Sequence, residues 1–161
     1  MDGKSTTTVY MCGPIAGLTY EDAVARRSEI AGPLMEAGVR VLTPMRGKHR
    51  LTHLKGPLPS HGYKMPEASD RFIIHRDFWD VTKRADIIIA DFRGFEDDAS
   101  IGSVFELAWA YAFHVYVIML VNDKNHLGKY GHAFVKEAVG IVFDRKEDVI
   151  ELVLRYSGVE I

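Results

Sequence analysis

Short apolar runs alternate with helical runs along most of the chain, and this alternation restricts the possible folds more than any other feature. Five runs are typical of strands, and they are Thr7–Met11, Val39–Leu42, Ile87–Ala90, Tyr116–Val121 and Gly140–Phe143. Five others have helical periodicity, and they are Tyr20–Ala37, Ile73–Arg84, Val104–Phe113, His132–Ala138 and Glu147–Tyr156. Short apolar strands that alternate with helices indicate a parallel sheet covered on both faces. We therefore predict an α/β fold, doubly wound and flavodoxin-like, with a five-stranded parallel sheet and helices on both faces.

Length and composition predict a single domain over residues 1–161. Hydrophobic residues make up 47% of the chain and charged residues 26%, the usual balance for a soluble globular protein. The net charge of −2 gives no general attraction for nucleic acid, so we expect no nucleic-acid polymer as a partner. We find no membrane-spanning run and no signal peptide in Met1–Thr8. The single cysteine, Cys12, cannot form an internal disulfide, which favours a cytoplasmic location.

One long segment, at about residues 43–72, interrupts the alternation. It contains four prolines and shows little periodicity. Among its basic residues are Arg46, Lys48, His49, Arg50, His53 and Lys55. A connection of this length in a compact domain is usually a lid, a binding loop or a disordered stretch. Two interpretations stay open: a solvated basic turn, or a lid that helps to hold an anionic substrate.

The predicted helix Val104–Phe113 contains one charged residue, Glu106, in an otherwise apolar run. A helix that is apolar all round is buried, and a glutamate is rarely buried unless it is paired or functional. The spacing of Ser103 and Glu106 also fits a capping box, in which the glutamate folds back onto the helix start. A capping box leaves the apolar turns around Glu106 unexplained, so we favour a functional carboxylate.

Other polar residues are predicted to gather at the same edge of the sheet, because ligands of such folds bind beyond the carboxyl ends of the strands. Tyr10 lies near the end of the first strand, and Asp91 ends the third. The turn Gly13–Gly17 lacks the dinucleotide fingerprint and the P-loop lysine, but it can bring backbone N–H groups close to a ligand. Asp77 and Asp80, three residues apart, share a helix face, although acids near a helix start are also common without a function.

Most of these residues fall in three blocks of the sequence. They are Val9–Gly17, Arg76–Asp91 and Ser100–Ala110. In this order the blocks resemble the nucleoside 2-deoxyribosyltransferase family, which includes the 2'-deoxynucleoside 5'-phosphate N-hydrolases. The resemblance extends over about residues 8–155 and implies the flavodoxin-like fold.

The resemblance implies roles for individual residues. Glu106 matches the nucleophile, and Tyr10 matches a tyrosine that orients it. Asp77, or Asp80 if the alignment is shifted, matches the aspartate that contacts and protonates the leaving base. The loop that packs along the sugar or phosphate matches Gly13, Pro14, Ile15, Ala16 and Gly17. The remaining predicted substrate-binding residues are Asp91, Ser100, Gly102 and His132.

Ser100 departs from the transferase pattern. Six residues before the glutamate, the transferases carry an aspartate that binds the free 5'-hydroxyl group, whereas the monophosphate hydrolases carry serine. A carboxylate repels a 5'-phosphate, but a hydroxyl group can donate a hydrogen bond to it. Ser100 therefore favours a nucleotide substrate, with Asp98 as a possible substitute for the missing acid.

The resemblance predicts cleavage of the N-glycosidic bond of 2'-deoxynucleosides or their 5'-monophosphates through a covalent glutamyl-deoxyribose intermediate. The sugar then passes to another nucleobase or to water. No metal or organic cofactor is expected. His132 implies at least a homodimer with a shared active site, although a histidine that opens a helix is often only a capping or surface residue.

Four alternatives to this function remain. One is a different glycosidase that acts on ribonucleotides or nicotinamide dinucleotides, because the same catalytic glutamate could serve it. The most serious is a non-catalytic nucleotide-sensing module on the same fold. A metal enzyme built on His49 and His53 lacks any accompanying metal-binding motif. A receiver domain would need an acidic pair after the first strand, where this chain has Met11, Cys12 and Gly13.

Overall fold

The computed structural model describes residues 6–159 and contains one five-stranded sheet. Its strands are β1 (Thr8–Cys12), β2 (Arg40–Leu42), β3 (Ile87–Asp91), β4 (Tyr116–Leu120) and β5 (Ile141–Phe143). All neighbouring strands are parallel, in the order β2-β1-β3-β4-β5. This is the flavodoxin-like order, and it confirms the predicted sheet. The ends of the predicted domain, residues 1–5 and 160–161, lie outside the described residues, as does most of the stretch in which no signal peptide was expected.

Helices cover both faces of the sheet. They are α1 (Tyr20–Glu36), α2 (Asp70–Trp79), α3 (Ile101–Ala112), α4 (Ala133–Ala138) and α5 (Lys146–Tyr156). On one face, apolar side chains of α1 and α5 pack against Val9 and Met11 of β1. On the other face, side chains of α3 and α4 pack against Tyr10 and Cys12. Because side chains of a strand alternate between its two faces, Tyr10 and Cys12 point together towards α3. None of the helices within residues 6–159 is long and apolar enough to cross a membrane.

Two helices, α2 and α3, differ from the sequence prediction by more than one residue. Helix α3 begins at Ile101 rather than Val104, because the side chain of Ser100 caps it by accepting a hydrogen bond from the Ser103 amide at 3.3 Å. Helix α2 begins at Asp70, ends at Trp79 and continues as a π-helical turn over Asp80–Arg84. The π-turn changes the direction of the side chains that follow Trp79 relative to a regular helix.

The segment at about 43–72 forms ordered turns that pack onto the loop after β1. It contains two 3-10 turns, His49–His53 and Pro66–Ala68. Leu58 is buried, its amide donates to the carbonyl of Leu18 at 2.7 Å, and its carbonyl accepts from the amide of Gly17 at 3.0 Å. This segment, called the wall segment below, therefore forms a wall beside the carboxyl ends of the strands. Its movement as a lid remains a prediction.

Candidate active site

A buried hydrogen bond joins β1 to α3. The hydroxyl group of Tyr10 donates to Oε1 of Glu106 at 2.6 Å. Tyr10 is completely buried, and Glu106 is 8% exposed. The carboxylate of Glu106 is thus held by a residue on another element, and the helix start is capped by Ser100. The capping-box interpretation of Ser103 and Glu106 is wrong, because α3 starts earlier than predicted and places both residues inside the helix.

The surroundings of Glu106 act on its charge in opposite directions. Burial raises the pKa of Glu106 to about 7, and the nearby carboxylate of Asp77 adds to the increase. Contacts with Cys12 and Tyr10 lower the pKa, because they stabilise the ionised form. At neutral pH a large fraction of Glu106 is therefore ionised although the carboxyl group is buried.

Cys12 was not predicted as a site residue. Its thiol lies 3.7 Å from the carbonyl oxygen of Ser103, one turn before Glu106 on α3. Cys12 follows Tyr10 by two positions on β1, so both side chains face the same carboxylate. Period-two alternation of the strand was the sequence signal that could have identified it.

A cleft of about 490 Å³ opens beside Glu106 at the carboxyl edge of the sheet. This volume lies within the usual range for small-molecule sites. The structure brings eight of the predicted site residues together in its walls: Gly13, Pro14, Ile15, Ala16, Asp77, Ser100, Gly102 and Glu106. Tyr10 lies behind Glu106, outside the lining. Asp98, the possible substitute acid, also lines the cleft.

Besides Tyr10, four predicted site residues do not line this cleft. Gly17 is bonded to Leu58 of the wall segment, as described above. Asp91 is buried and accepts from Arg26 at 2.9 Å and from Arg93 at 2.8 Å. These ion pairs fix the loop that follows β3 and leads to Ser100.

The other two residues outside the lining are Asp80 and His132. Asp80 is completely buried, at the start of the π-turn, and forms ion pairs with Arg46 at 2.6 Å and Arg84 at 2.7 Å. His132 is exposed, and its Nδ1 accepts from the amide of Phe134 at 3.3 Å at the start of α4. Within the single chain, His132 therefore acts as a helix cap.

Asp77 is the aspartate of the pair that faces the cleft. It is buried, and Arg76 donates to its Oδ1 from Nε at 2.9 Å and from Nη2 at 2.8 Å. Burial raises the pKa of Asp77 from its ordinary value of 3.8, whereas the charge of Arg76 lowers it. Two carboxyl groups with raised pKa values, Asp77 and Glu106, therefore face the same space, an arrangement typical of acid–base catalysis.

Arg27 of α1 supports the loop after β1 through hydrogen bonds to its backbone, and the sequence prediction missed this residue. Its guanidinium group is 5% exposed and donates to the carbonyl oxygens of Gly13 at 2.8 Å and of Pro14 at 3.3 Å. Gly13 has a φ of 153°, and a Cβ atom there would lie 2.6 Å from the carbonyl oxygen of Asp91. Glycine at 13 and arginine at 27 together fix the path of the loop that lines the cleft.

The wall segment contributes a buried cation to the cleft. Lys48 lines the cleft and is 4% exposed. Burial lowers the pKa of Lys48 to about 8, and the carboxylate of Asp77 opposes that effect. The histidines of the proposed metal alternative, His49 and His53, lie in the adjacent 3-10 turn. In the part of the chain that the structure describes, no three His, Cys, Asp or Glu side chains are grouped as a metal site would require.

Comparisons with known proteins agree with this geometry. The family model for nucleoside 2-deoxyribosyltransferases matches residues 9–153. A 2-deoxyribosyltransferase from Bacillus psychrosaccharolyticus is 18% identical, with 89% of this chain and 90% of that chain covered and a TM-score of 0.63. A conserved protein from Enterococcus faecalis is 17% identical, with 94% and 99% covered and a TM-score of 0.64.

A third solved structure with the same fold is the CMP N-glycosidase of Clostridium botulinum. It is 16% identical, with 93% of this chain and 99% of that chain covered and a TM-score of 0.57. No curated protein sequence matches the chain. At these identities, the solved structures establish the shared fold.

Proposed function

The chain belongs to the nucleoside 2-deoxyribosyltransferase family, and on that premise we propose that it cleaves the N-glycosidic bond of 2'-deoxynucleosides or their 5'-monophosphates. The observation that carries this proposal is the buried pair of Tyr10 and Glu106, which opens onto a cleft large enough for a nucleotide. A carboxylate that is desolvated, oriented by a hydroxyl group and open to a cleft has the properties of a nucleophile.

Glu106 and Asp77 divide the chemistry between them. An ionised oxygen of Glu106 bonds to C1' as the C1'–N bond breaks, and the bonding electron pair moves to the base nitrogen. The transition state has oxocarbenium character, which a carboxylate beneath the sugar stabilises. Asp77 donates a proton to the departing base. We assign this role to Asp77 rather than Asp80, because Asp80 is occupied by two arginines outside the cleft.

The glutamyl-deoxyribose ester then reacts in one of two ways. Attack at C1' by a nitrogen of a second base gives a new nucleoside and corresponds to transfer. Attack by water gives the free sugar or its 5-phosphate and corresponds to hydrolysis. In both reactions the proton lost by the incoming base or water passes to Asp77, and cleavage of the ester restores the Glu106 carboxylate.

Support for a 5'-monophosphate comes from the start of α3. Ser100 lines the cleft at the N-terminus of this helix, where the backbone dipole favours an anion. The fold is shared with a CMP N-glycosidase, an enzyme named for a nucleotide substrate. Asp98 lines the same cleft and would favour a free 5'-hydroxyl group instead, so nucleosides are the alternative substrate.

We also propose that two copies of the chain associate through the surface of α3 and α4. Ile101 and Phe105 on α3 and Phe134 on α4 expose large apolar side chains, and Ile101 also lines the cleft. Burial of such a patch against a second copy would place His132, beside Phe134, near the partner's cleft. Light scattering should show at least a dimer, and Phe134→Asp should shift it towards the monomer. A wild-type monomer at micromolar concentration would refute the association.

Product analysis tests the reaction. The protein is incubated with deoxynucleosides and deoxynucleoside monophosphates, with and without an added free base, and the products are separated by chromatography. Free base with deoxyribose 5-phosphate identifies hydrolysis, and a new nucleoside identifies transfer. Calorimetric binding of nucleotides without base release would favour the sensing module.

A variant pair links the reaction to Glu106. Glu106→Ala should retain its circular dichroism spectrum and lose turnover by several orders of magnitude. Glu21→Ala, on the exposed first turn of α1, is the matched control and should behave as wild type. Near-normal turnover by Glu106→Ala would refute the assignment.

A further inference from the structure

The charge of Lys48 has no partner that would explain its burial. Among residues 6–159, its side chain forms no ion pair and no hydrogen bond, and its described side-chain contact is with the ring of Tyr63, 5.8 Å from Nζ. Nζ is not among the buried polar atoms that lack a partner, so it retains access to the cleft. The carboxylates of Asp77 and Glu106 attract the charge of Lys48 without contacting it. A buried ammonium group without a hydrogen-bond acceptor is unfavourable, and a substrate atom in the cleft would supply that acceptor.

Backbone contacts place Lys48 beside Asp77. Arg76, which binds the Asp77 carboxylate, also donates to the carbonyl oxygens of Pro44 at 2.9 Å and of Arg46. The amide of Lys48 donates to the carbonyl of Met45 at 3.0 Å. This bond closes a turn within the stretch that Arg76 holds. Lys48 therefore lines the part of the cleft beside Asp77, where the proposed function puts the leaving base.

An ammonium group can only donate hydrogen bonds. Beside the exocyclic position of a base, it is compatible with a carbonyl oxygen and incompatible with an amino group. When the C1'–N bond breaks, its electron pair delocalises over the base and reaches the exocyclic oxygen if the base carries one. A fixed cation beside that oxygen stabilises the developing charge before the proton from Asp77 arrives.

From this placement, and resting on the proposed function, we propose that Lys48 makes the site selective for 6-oxopurines and 4-oxopyrimidines over their amino counterparts. The substrate class is thus the hypoxanthine-, guanine-, uracil- and thymine-type deoxynucleotides. Lys48 acts by direct contact with the base, as a specificity-determining and charge-stabilising residue.

Two matched substrate pairs test this selectivity. Deoxyinosine and deoxyadenosine monophosphates differ in the group on C6 and in the proton on the adjacent N1. The deoxyuridine and deoxycytidine monophosphates differ in the group on C4 and in the proton on the adjacent N3. Wild-type kcat/KM should favour the oxo member of each pair by about tenfold or more, since a charged hydrogen bond is involved. Lys48→Met should reduce kcat/KM for the oxo members by about 10- to 100-fold and leave the amino members nearly unchanged. Lys48→Arg should retain part of the preference, and Lys64→Met, on an exposed position of the same segment, should match wild type.

Three outcomes would overturn the proposal: wild type without preference, an unchanged preference in Lys48→Met, or an equal loss on both members of a pair. A loss limited to phosphorylated substrates would place Lys48 at the phosphate and would also overturn it. Titration with free hypoxanthine and free adenine provides a readout without turnover. Wild type should bind hypoxanthine more tightly, and Lys48→Met should bind both equally. If no substrate releases its base, the proposed function fails, and equal wild-type affinities in this titration would separately refute the role of Lys48.

Discussion

Replacement of Tyr10 by phenylalanine removes one hydroxyl group from a completely buried site and keeps the ring. The lost contact is the 2.6 Å hydrogen bond to Glu106. A hydrogen bond to a charged group contributes about 1.5–3 kcal/mol, and 1.36 kcal/mol corresponds to one pKa unit. Because this contact stabilises the ionised form, its loss should raise the pKa of Glu106 from about 7 by about one to two units.

The acidic limb of the kcat/KM profile reports this change. Only the ionised carboxylate attacks C1', so activity should rise with pH through the pKa of Glu106. At pH 7 the ionised fraction should fall from about one half to between about one tenth and one hundredth. Turnover by Tyr10→Phe should therefore be reduced about 5- to 50-fold at pH 7, and the midpoint of its acidic limb should lie about one to two pH units above that of wild type. Burial and neighbouring carboxylates raise the pKa of Tyr10 well above 10.0, so the wild-type hydroxyl remains a donor at neutral pH.

Two results would refute this reasoning. An acidic limb with the same midpoint in both proteins would show that Tyr10 does not set the charge of Glu106. A loss of equal size at every pH would show that the hydroxyl group acts on the substrate or only on folding. Tyr111→Phe, on the exposed side of α3, is the control for the loss of a tyrosine hydroxyl.

Three further variants test the rest of the site. Glu106→Gln should be more stable than wild type above pH 7 and equally stable below about pH 4.5, as measured by thermal denaturation at several pH values. The reason is that a pKa raised from 4.5 to about 7 destabilises the native state by about 3 kcal/mol once the group is ionised. Arg27→Lys cannot span the carbonyl groups of Gly13 and Pro14, so steady-state kinetics should show KM raised about tenfold with a smaller change in kcat. Asp77→Asn should lower kcat about 100- to 10,000-fold for natural bases but much less for an activated leaving group that needs no proton.

Much of the architecture could be predicted from sequence because it depends on local patterns. The five strand runs are continuously apolar where both faces of the sheet are covered, and crossover handedness then leaves few possible strand orders. Glu106 could be identified for a related reason: a single acid in an apolar helix needs an explanation even before its neighbours are known. The start of α3 was misplaced because Ser100 and Ser103 are both acceptable caps.

The residues that could not be predicted act through contacts between distant parts of the chain. Arg27 lies on an ordinary surface-like helix in sequence, and only the fold brings its guanidinium group under Gly13. Lys48 is one of nine lysine, arginine and histidine residues in an irregular segment, and periodicity cannot select among them. The sequence also could not choose between Asp77 and Asp80, since residues three apart share a regular helix face. In the structure, Asp80 begins the π-turn and pairs with Arg46, 34 positions before it in the chain, whereas Asp77 faces the cleft.

Asp80 links the segment at about 43–72 to the π-turn through two ion pairs. One of its oxygens binds Arg46 of the wall segment and the other binds Arg84 of the π-turn. A carboxylate outside the cleft therefore holds one wall of the cleft in position. A mutational screen scored on turnover alone should rank Asp80 with the reacting groups, although no substrate atom reaches it. A stabilising osmolyte or lower temperature should restore activity to an Asp80 variant by returning the wall segment to its native position. The same treatment cannot replace a missing proton donor, and this difference separates the two neighbouring aspartates experimentally.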